Sequence, residues 1–120
     1  MLRYFQGKEF DSPDAPGTGL LMQMPFLEKL DEIRHVLGRP LYINSGFRTE
    51  AHNKTLKASV EKSAHTSGWG ADIKVNTSQE RFQLIEVALK LGVSRIGIGK
   101  TFVHLDMEPN KPQEVVWLYG

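Results

Sequence analysis

Two histidines and two aspartates stand out in this chain for their spacing. The stretch KSAHTSGWGADIKV (62–75) sets His65 seven residues before Asp72, with Gly68, Trp69 and Gly70 between them. The stretch FVHLDM (102–107) holds His104 and Asp106 two residues apart in a strand-like run. Side chains alternate faces along a strand, so Val103, Leu105 and Met107 form an apolar set while Phe102, His104 and Asp106 share the other side. In ADIKV the same alternation turns Ala71, Ile73 and Val75 one way and Asp72 the other. If the two strands are neighbours in one sheet, Asp72 and His104 lie on one surface and His65 enters from the preceding loop.

A His, Asp, His set is a recognised way to hold zinc. Three protein ligands leave a fourth position for water, the catalytic rather than the closed structural arrangement. The chemistry needs neutral imidazoles and an ionised carboxylate, both available near neutral pH. The chain has no cysteine, so any zinc must be held by His, Asp or Glu. Taken singly these residues have ordinary readings as well. His65 fits a surface loop, Asp72 a solvent-facing strand position, and His104 a hydrogen-bonded core histidine. His35, beside Arg34, reads as exposed on a helix, and His52 as a residue of a polar helix with structural hydrogen bonds. Spacing alone leaves both readings open.

The elements that must position these residues follow from the pattern of apolar residues. The chain has 120 residues, which fits one domain, and 40% of them are hydrophobic, enough for one core but not two. The segment to about Met24 is rich in turn formers and reads as an arm that packs on that domain. Phe26, Leu30, Ile33 and Leu37 form one helical stripe, with Pro25 at its start and Gly38 at its end. LYINSGFR reads as a short strand broken at Ser45-Gly46, and TEAHNKTLKA as a short helix. Residues 57–68 read as a polar loop. Thr77 with Glu80 forms a capping-box pattern for a helix running to about Leu91. Three strands follow, SRIGIG, FVHLDM and EVVWLY, with EPNKP as a hairpin-like turn between the last two. This order predicts an α+β fold with a mostly antiparallel sheet and flanking helices.

A formal net charge of +1 gives no broad field for nucleic acid or an anionic membrane. The N-terminal stretch lacks a signal peptide's apolar run, and no segment approaches a membrane span of ~20 apolar residues. The expectation is a protein made in the cytoplasm, monomeric, with no nucleic-acid partner and no membrane insertion.

SAHTSGWGAD resembles the S-x-H-x-x-G-x-A-x-D motif of the zinc D-Ala-D-Ala carboxypeptidase-like (M15-type) peptidases of the cell wall. Ser63, His65, Gly68 and Asp72 match it, and Gly70 stands where the family usually has Ala. FVHLD resembles the family's second motif, a strand ending in H-x-D. SGFRTEAHN resembles its upstream S-G-[YF]-R-x-x-x-H-N block, and EFDSPDAPGTG resembles the short version carried by phages and bacteria. The resemblance spans roughly Phe5 to Trp117. It implies the fold shared with the hedgehog signalling domain and a single zinc ion held by His65, Asp72 and His104. It also implies a peptidoglycan stem peptide as partner, with Arg48 binding its carboxylate and Ser45 helping to hold the same end. A guanidinium fork matches a carboxylate in two hydrogen bonds.

One position departs from the family. Many members carry Glu, Asp or His three residues before the last zinc ligand as general base, and that position here is Thr101. Asp106 is the substitute that strand geometry favours; orienting a zinc-bound histidine is an equal alternative. Trp69 has two readings too, a wall of the cleft or packing under the loop. The resemblance therefore implies a metallopeptidase acting on stem peptides, as carboxypeptidase or as endopeptidase of endolysin type. The alternative is a catalytically weak or silent zinc- and peptide-binding module, such as a phage wall-docking component. A wall substrate without a signal peptide favours a phage-derived enzyme acting after release.

Overall fold

A computed structural model describes residues 2–56, 60 and 62–120. Its architecture is α+β, a five-stranded mostly antiparallel sheet with helices against it, as the order of elements predicts. The helices are α1 (Met24–Leu37), α2 (Glu50–Thr55), α3 (Ala64–Ser67) and α4 (Ser78–Lys90). The strands are β1 (Ile43–Ser45), β2 (Gly70–Lys74), β3 (Arg95–Ile98), β4 (Phe102–Asp106) and β5 (Val115–Leu118).

Helix α1 buries Phe26, Leu30 and Ile33 completely, three of the four residues of the predicted stripe, with Leu37 packed at its end. Pro25 occupies its first turn, where a missing N–H costs nothing, and Gly38 closes it in the left-handed conformation. Helix α4 starts as its capping pattern predicts: Thr77 Oγ1 accepts from the Glu80 N–H. The Glu80 carboxylate reaches back to the Asn76 N–H. Helix α4 packs on β4 and α1 packs on α4; both share one core with Ala71, Ile73, Val103 and Leu105, all without solvent exposure. Phe5 and Phe10 bring the N-terminal arm into the same core. The arm is pinned by Asp31, which accepts hydrogen bonds from the Arg3 and Tyr4 N–H groups.

The strand order is β1-β2-β4-β3-β5. Here one expectation fails. The chain does not turn back at EPNKP to pair β5 with β4. Strand β4 is already flanked by β2 and β3, so it has no free edge to offer. The connection instead steps past β3, and β5 pairs with β3 in parallel, the one parallel pair of the sheet. Arg95 secures the step by donating to the Pro112 carbonyl at 2.6 Å.

A second correction concerns the region read as a loop. Residues 64–67 form the short helix α3, with Ser63 as its N-cap accepting from the His65 N–H. Small polar residues gave no apolar stripe to mark it, and its first turn is held by that cap. The helix expected over TEAHNKTLKA is confined to Glu50–Thr55, capped by Thr49. Lys57 and Ala58 lie outside the described residues.

Candidate metal centre and cleft

Adjacency of β2 and β4 meets the condition on which the site rests. Asp72 and His104 are direct register partners, and Gly70 faces Asp106 in the same ladder. Helix α3 then delivers His65 to the same spot. One ligand atom from each of His65, Asp72 and His104 lies within 4.8 Å of the others. The His65 and His104 rings have centroids 5.0 Å apart.

The ring nitrogens are sorted by their second partners. His65 Nδ1 lies 2.8 Å from the Gly46 carbonyl, which only accepts, so the proton sits there and Nε2 carries the lone pair toward Asp72. His104 Nε2 lies 2.7 Å from Asp106 Oδ2, which turns Nδ1 toward Asp72 Oδ1 at 2.9 Å. Two imidazole nitrogens and one carboxylate oxygen thus converge, with each ring fixed from behind by an oxygen acceptor. This donor set fits a zinc ion, and the acceptors behind it are what a metal-binding histidine needs to hold tautomer and orientation.

For Asp72 and His65 the electrostatics agree. Burial pushes the Asp72 carboxyl up, but the two histidines that face it outweigh burial and hold the group well below the usual carboxylate range. Burial pulls His65 down, toward the neutral form that binds metal. Burial also opposes charge on His104, yet the flanking Asp106 and Asp72 raise it above its ordinary value.

The glycines of the opening stretch have separate duties. Gly68 has φ +81 and ends α3; a side chain there would sit 2.6 Å from the Leu21 carbonyl. Gly70 gives close approach: an added Cβ would stand 3.1 Å from both the His104 ring and the Asp106 Cβ. Trp69 packs against the hydrophobic core and is absent from the cleft lining, the second of its two readings.

The upstream block comes to the same place. Arg48 Nη2 donates to Asp72 Oδ2 at 3.3 Å, Nε to Ser45 Oγ at 3.1 Å and Nη1 to Asn53 Oδ1 at 3.3 Å. Ser45 therefore braces Arg48. The block is held by the arm and by α3, through Phe47 N–H to the Phe10 carbonyl and Arg48 N–H to the His65 carbonyl. Gly46 packs on Phe10 so closely that an added Cβ would meet its backbone at 2.6 Å.

Asp106 is buried and fully engaged. Oδ1 accepts from Arg95 Nε at 2.6 Å and from the Glu108 N–H at 3.1 Å, while Oδ2 faces His104. Thr101 lies exposed in the turn between β3 and β4, with its carbonyl taken by the Val75 N–H. His35 pairs with the Tyr4 hydroxyl on α1, and His52 lies on α2; neither belongs to the cluster.

A cleft of about 560 Å³ opens over the cluster, lined by Arg48, His65, Asp72, His104, Phe102 and the aromatics Trp117 and Tyr119, among others. Sequence reasoning missed Arg95, Trp117 and Tyr119. Arg95 lies in a β3 run that is otherwise apolar or glycine, a signal that was there to be read. Trp117 lies on β5 and Tyr119 just past its end, but only the pairing of β5 with β3 places them beside His104, with ring centroids 5.5 Å and 6.4 Å away.

A family model described as Peptidase M15 matches residues 5–106. Comparison with curated proteins gives no match. The matched span contains all three converging ligands, Arg48 and Asp106.

Proposed function

The chain belongs to the peptidase M15 family, and on that premise we infer that it is a zinc metallopeptidase acting on peptidoglycan stem peptides. The observation that carries the reading is the convergence of His65 Nε2, Asp72 and His104 Nδ1 under a cleft whose rim holds Arg48. Zinc held by these three would polarise a peptide carbonyl and lower the pKa of a water toward neutrality.

The chain's own residues do the rest. Arg48 offers its guanidinium to the carboxylate of the stem peptide, and Ser45 and Asn53 hold that guanidinium in place. Phe102, Trp117 and Tyr119 wall the cleft. Asp106 keeps His104 oriented: both its oxygens are occupied by fixed partners, which suits a positioning role better than proton transfer. The wider reading is of a phage-type wall-degrading enzyme acting after release from the cytoplasm.

One observation favours a second reading. Thr101 occupies the base position and is exposed, and Asp106 is tied to Arg95, which supports a zinc- and peptide-binding module of low activity. Zinc-loaded protein incubated with purified peptidoglycan and with a D-Ala-D-Ala-terminated peptide separates the two. Release of D-Ala identifies a carboxypeptidase, and new amino termini in the wall identify an endopeptidase. If neither product forms while wall binding persists, the peptidase reading fails and the binding module stands.

A further inference from the structure

Beside the metal cleft lies a second cavity, of about 640 Å³, lined by Glu50, Asn53, Lys54, Lys62, Ser63, Thr66, Ser67 and Glu108. Ser63 lines both cavities, so a ligand seated over the metal cluster can extend across Ser63 into the second. The two are also joined through Asn53, which lines the second cavity and accepts from Arg48 of the first.

The second cavity carries two ammonium groups, Lys54 and Lys62, and two carboxylates, Glu50 and Glu108. Among the described residues none of the four forms an ion pair. Glu108 is the decisive one. It is only 8% exposed, and its Oε2 is shut off from solvent with no hydrogen-bond donor among the described residues. Its backbone is fixed, since its N–H is donated to Asp106 Oδ1. A buried carboxylate oxygen without a donor costs stability unless something supplies one. The lysines make a bare divalent cation a poor guest, because they would repel it. A carboxylate to receive an ammonium and ammonium groups to receive a carboxylate, in a cavity also lined by Ser63, Thr66 and Ser67, fit a zwitterion.

We propose that this cavity is a specificity subsite for a peptide side chain that ends in an amino-acid head group, ammonium and carboxylate on one carbon, with Glu108 taking the ammonium and Lys62 the carboxylate. The proposal rests on the stem-peptide reading above and names which stem peptides the protein prefers: those whose branching residue carries a free zwitterionic head rather than a plain amine.

The test uses calorimetric titration of the zinc-loaded protein with three otherwise identical peptides, carrying 2,6-diaminopimelic acid, lysine or norleucine at the branching position. Affinity is expected to fall in that order, by about tenfold for each charged group lost. Glu108→Gln should abolish the difference between lysine and norleucine. Lys62→Met should abolish the difference between diaminopimelic acid and lysine while leaving zinc content unchanged. Should Glu108→Gln not fold, the three wild-type affinities and Lys62→Met still decide. Equal binding of all three peptides by the wild type, or binding of none, overturns the subsite, as does a preference that survives Lys62→Met. The failures are distinguishable: cleavage of all three peptides alike leaves the peptidase and removes the subsite, whereas graded binding without cleavage leaves the subsite and removes the peptidase.

Discussion

Arg95 donates from Nε to Asp106 Oδ1 at 2.6 Å, an ion pair with side chains 9% and 1% exposed directly behind the His65, Asp72 and His104 cluster. Through Asp106 it acts on His104, and its guanidinium also lies 5.0 Å from the centre of the Trp117 ring. Removing one partner of such a pair leaves a buried uncompensated charge. Arg95→Met should therefore cost about 3–5 kcal/mol in urea denaturation. It should also weaken zinc binding, because Asp106 loses the partner that holds it against His104. A variant with unchanged zinc affinity would show that Arg95 serves folding alone.

Zinc content tests the ligand set directly. His65→Ala should bring the stoichiometry close to zero, whereas Thr101→Ala, in an exposed turn, should leave it at one ion per chain. Asp106→Asn should keep the ion but weaken its binding by about 10–100-fold, the usual effect of losing the group behind a ligand histidine. Binding requires neutral imidazoles. His104 is the ligand raised above its ordinary value, so zinc affinity should fall as pH drops through that raised value. Retention of full zinc content by His65→Ala would sink the assignment.

The N-terminal arm should come loose in acid. Burial pushes the Asp31 carboxyl up, but the N–H groups of Arg3 and Tyr4 outweigh it and hold it below its ordinary value. A depressed folded value stabilises fully above the unfolded pKa, about 3.9, and that stabilisation is lost as pH falls through the folded value. Proteolytic cleavage near Arg3 should accordingly rise below about pH 4, in step with protonation of that carboxyl. Asp31→Asn should be cleaved readily at neutral pH as well. Equal resistance of both proteins at neutral pH would refute the role.

Gly97 sits under the aromatic wall. An added Cβ would meet the Tyr119 ring at 2.5 Å and the Trp117 ring at 2.6 Å. Gly97→Ala should leave zinc content intact while pushing both rings off β3. The measurement is Trp117 fluorescence in a Trp69→Phe background, with peptide affinity alongside. An unaltered spectrum and unaltered affinity would mean that the rings have room to yield.

The ligands were legible because strand alternation and short-range spacing operate on neighbours in the chain. Asp72 and His104 each fall on the less apolar face of a strand, and His65 lies within one loop of Asp72. Arg48 was legible through its block, but its brace by Ser45 and Asn53 was not, since those contacts depend on how β1 bends into α2. Helix α3 escaped because a four-residue helix without an apolar stripe is set by its Ser63 cap and by packing rather than by periodicity.

By itself, then, the sequence determined the α+β class, the faces of β2 and β4, and the identity of the converging side chains, all consequences of backbone period and residue type. Tertiary structure alone decided which strands touch. Because β4 had both edges taken, β5 crossed to β3 and carried Trp117 and Tyr119 to the cleft. The same closing of the chain brought Glu108 and Ser63 to one cavity. Those pairings join residues distant in sequence, and no local pattern encodes which sheet edge remains free.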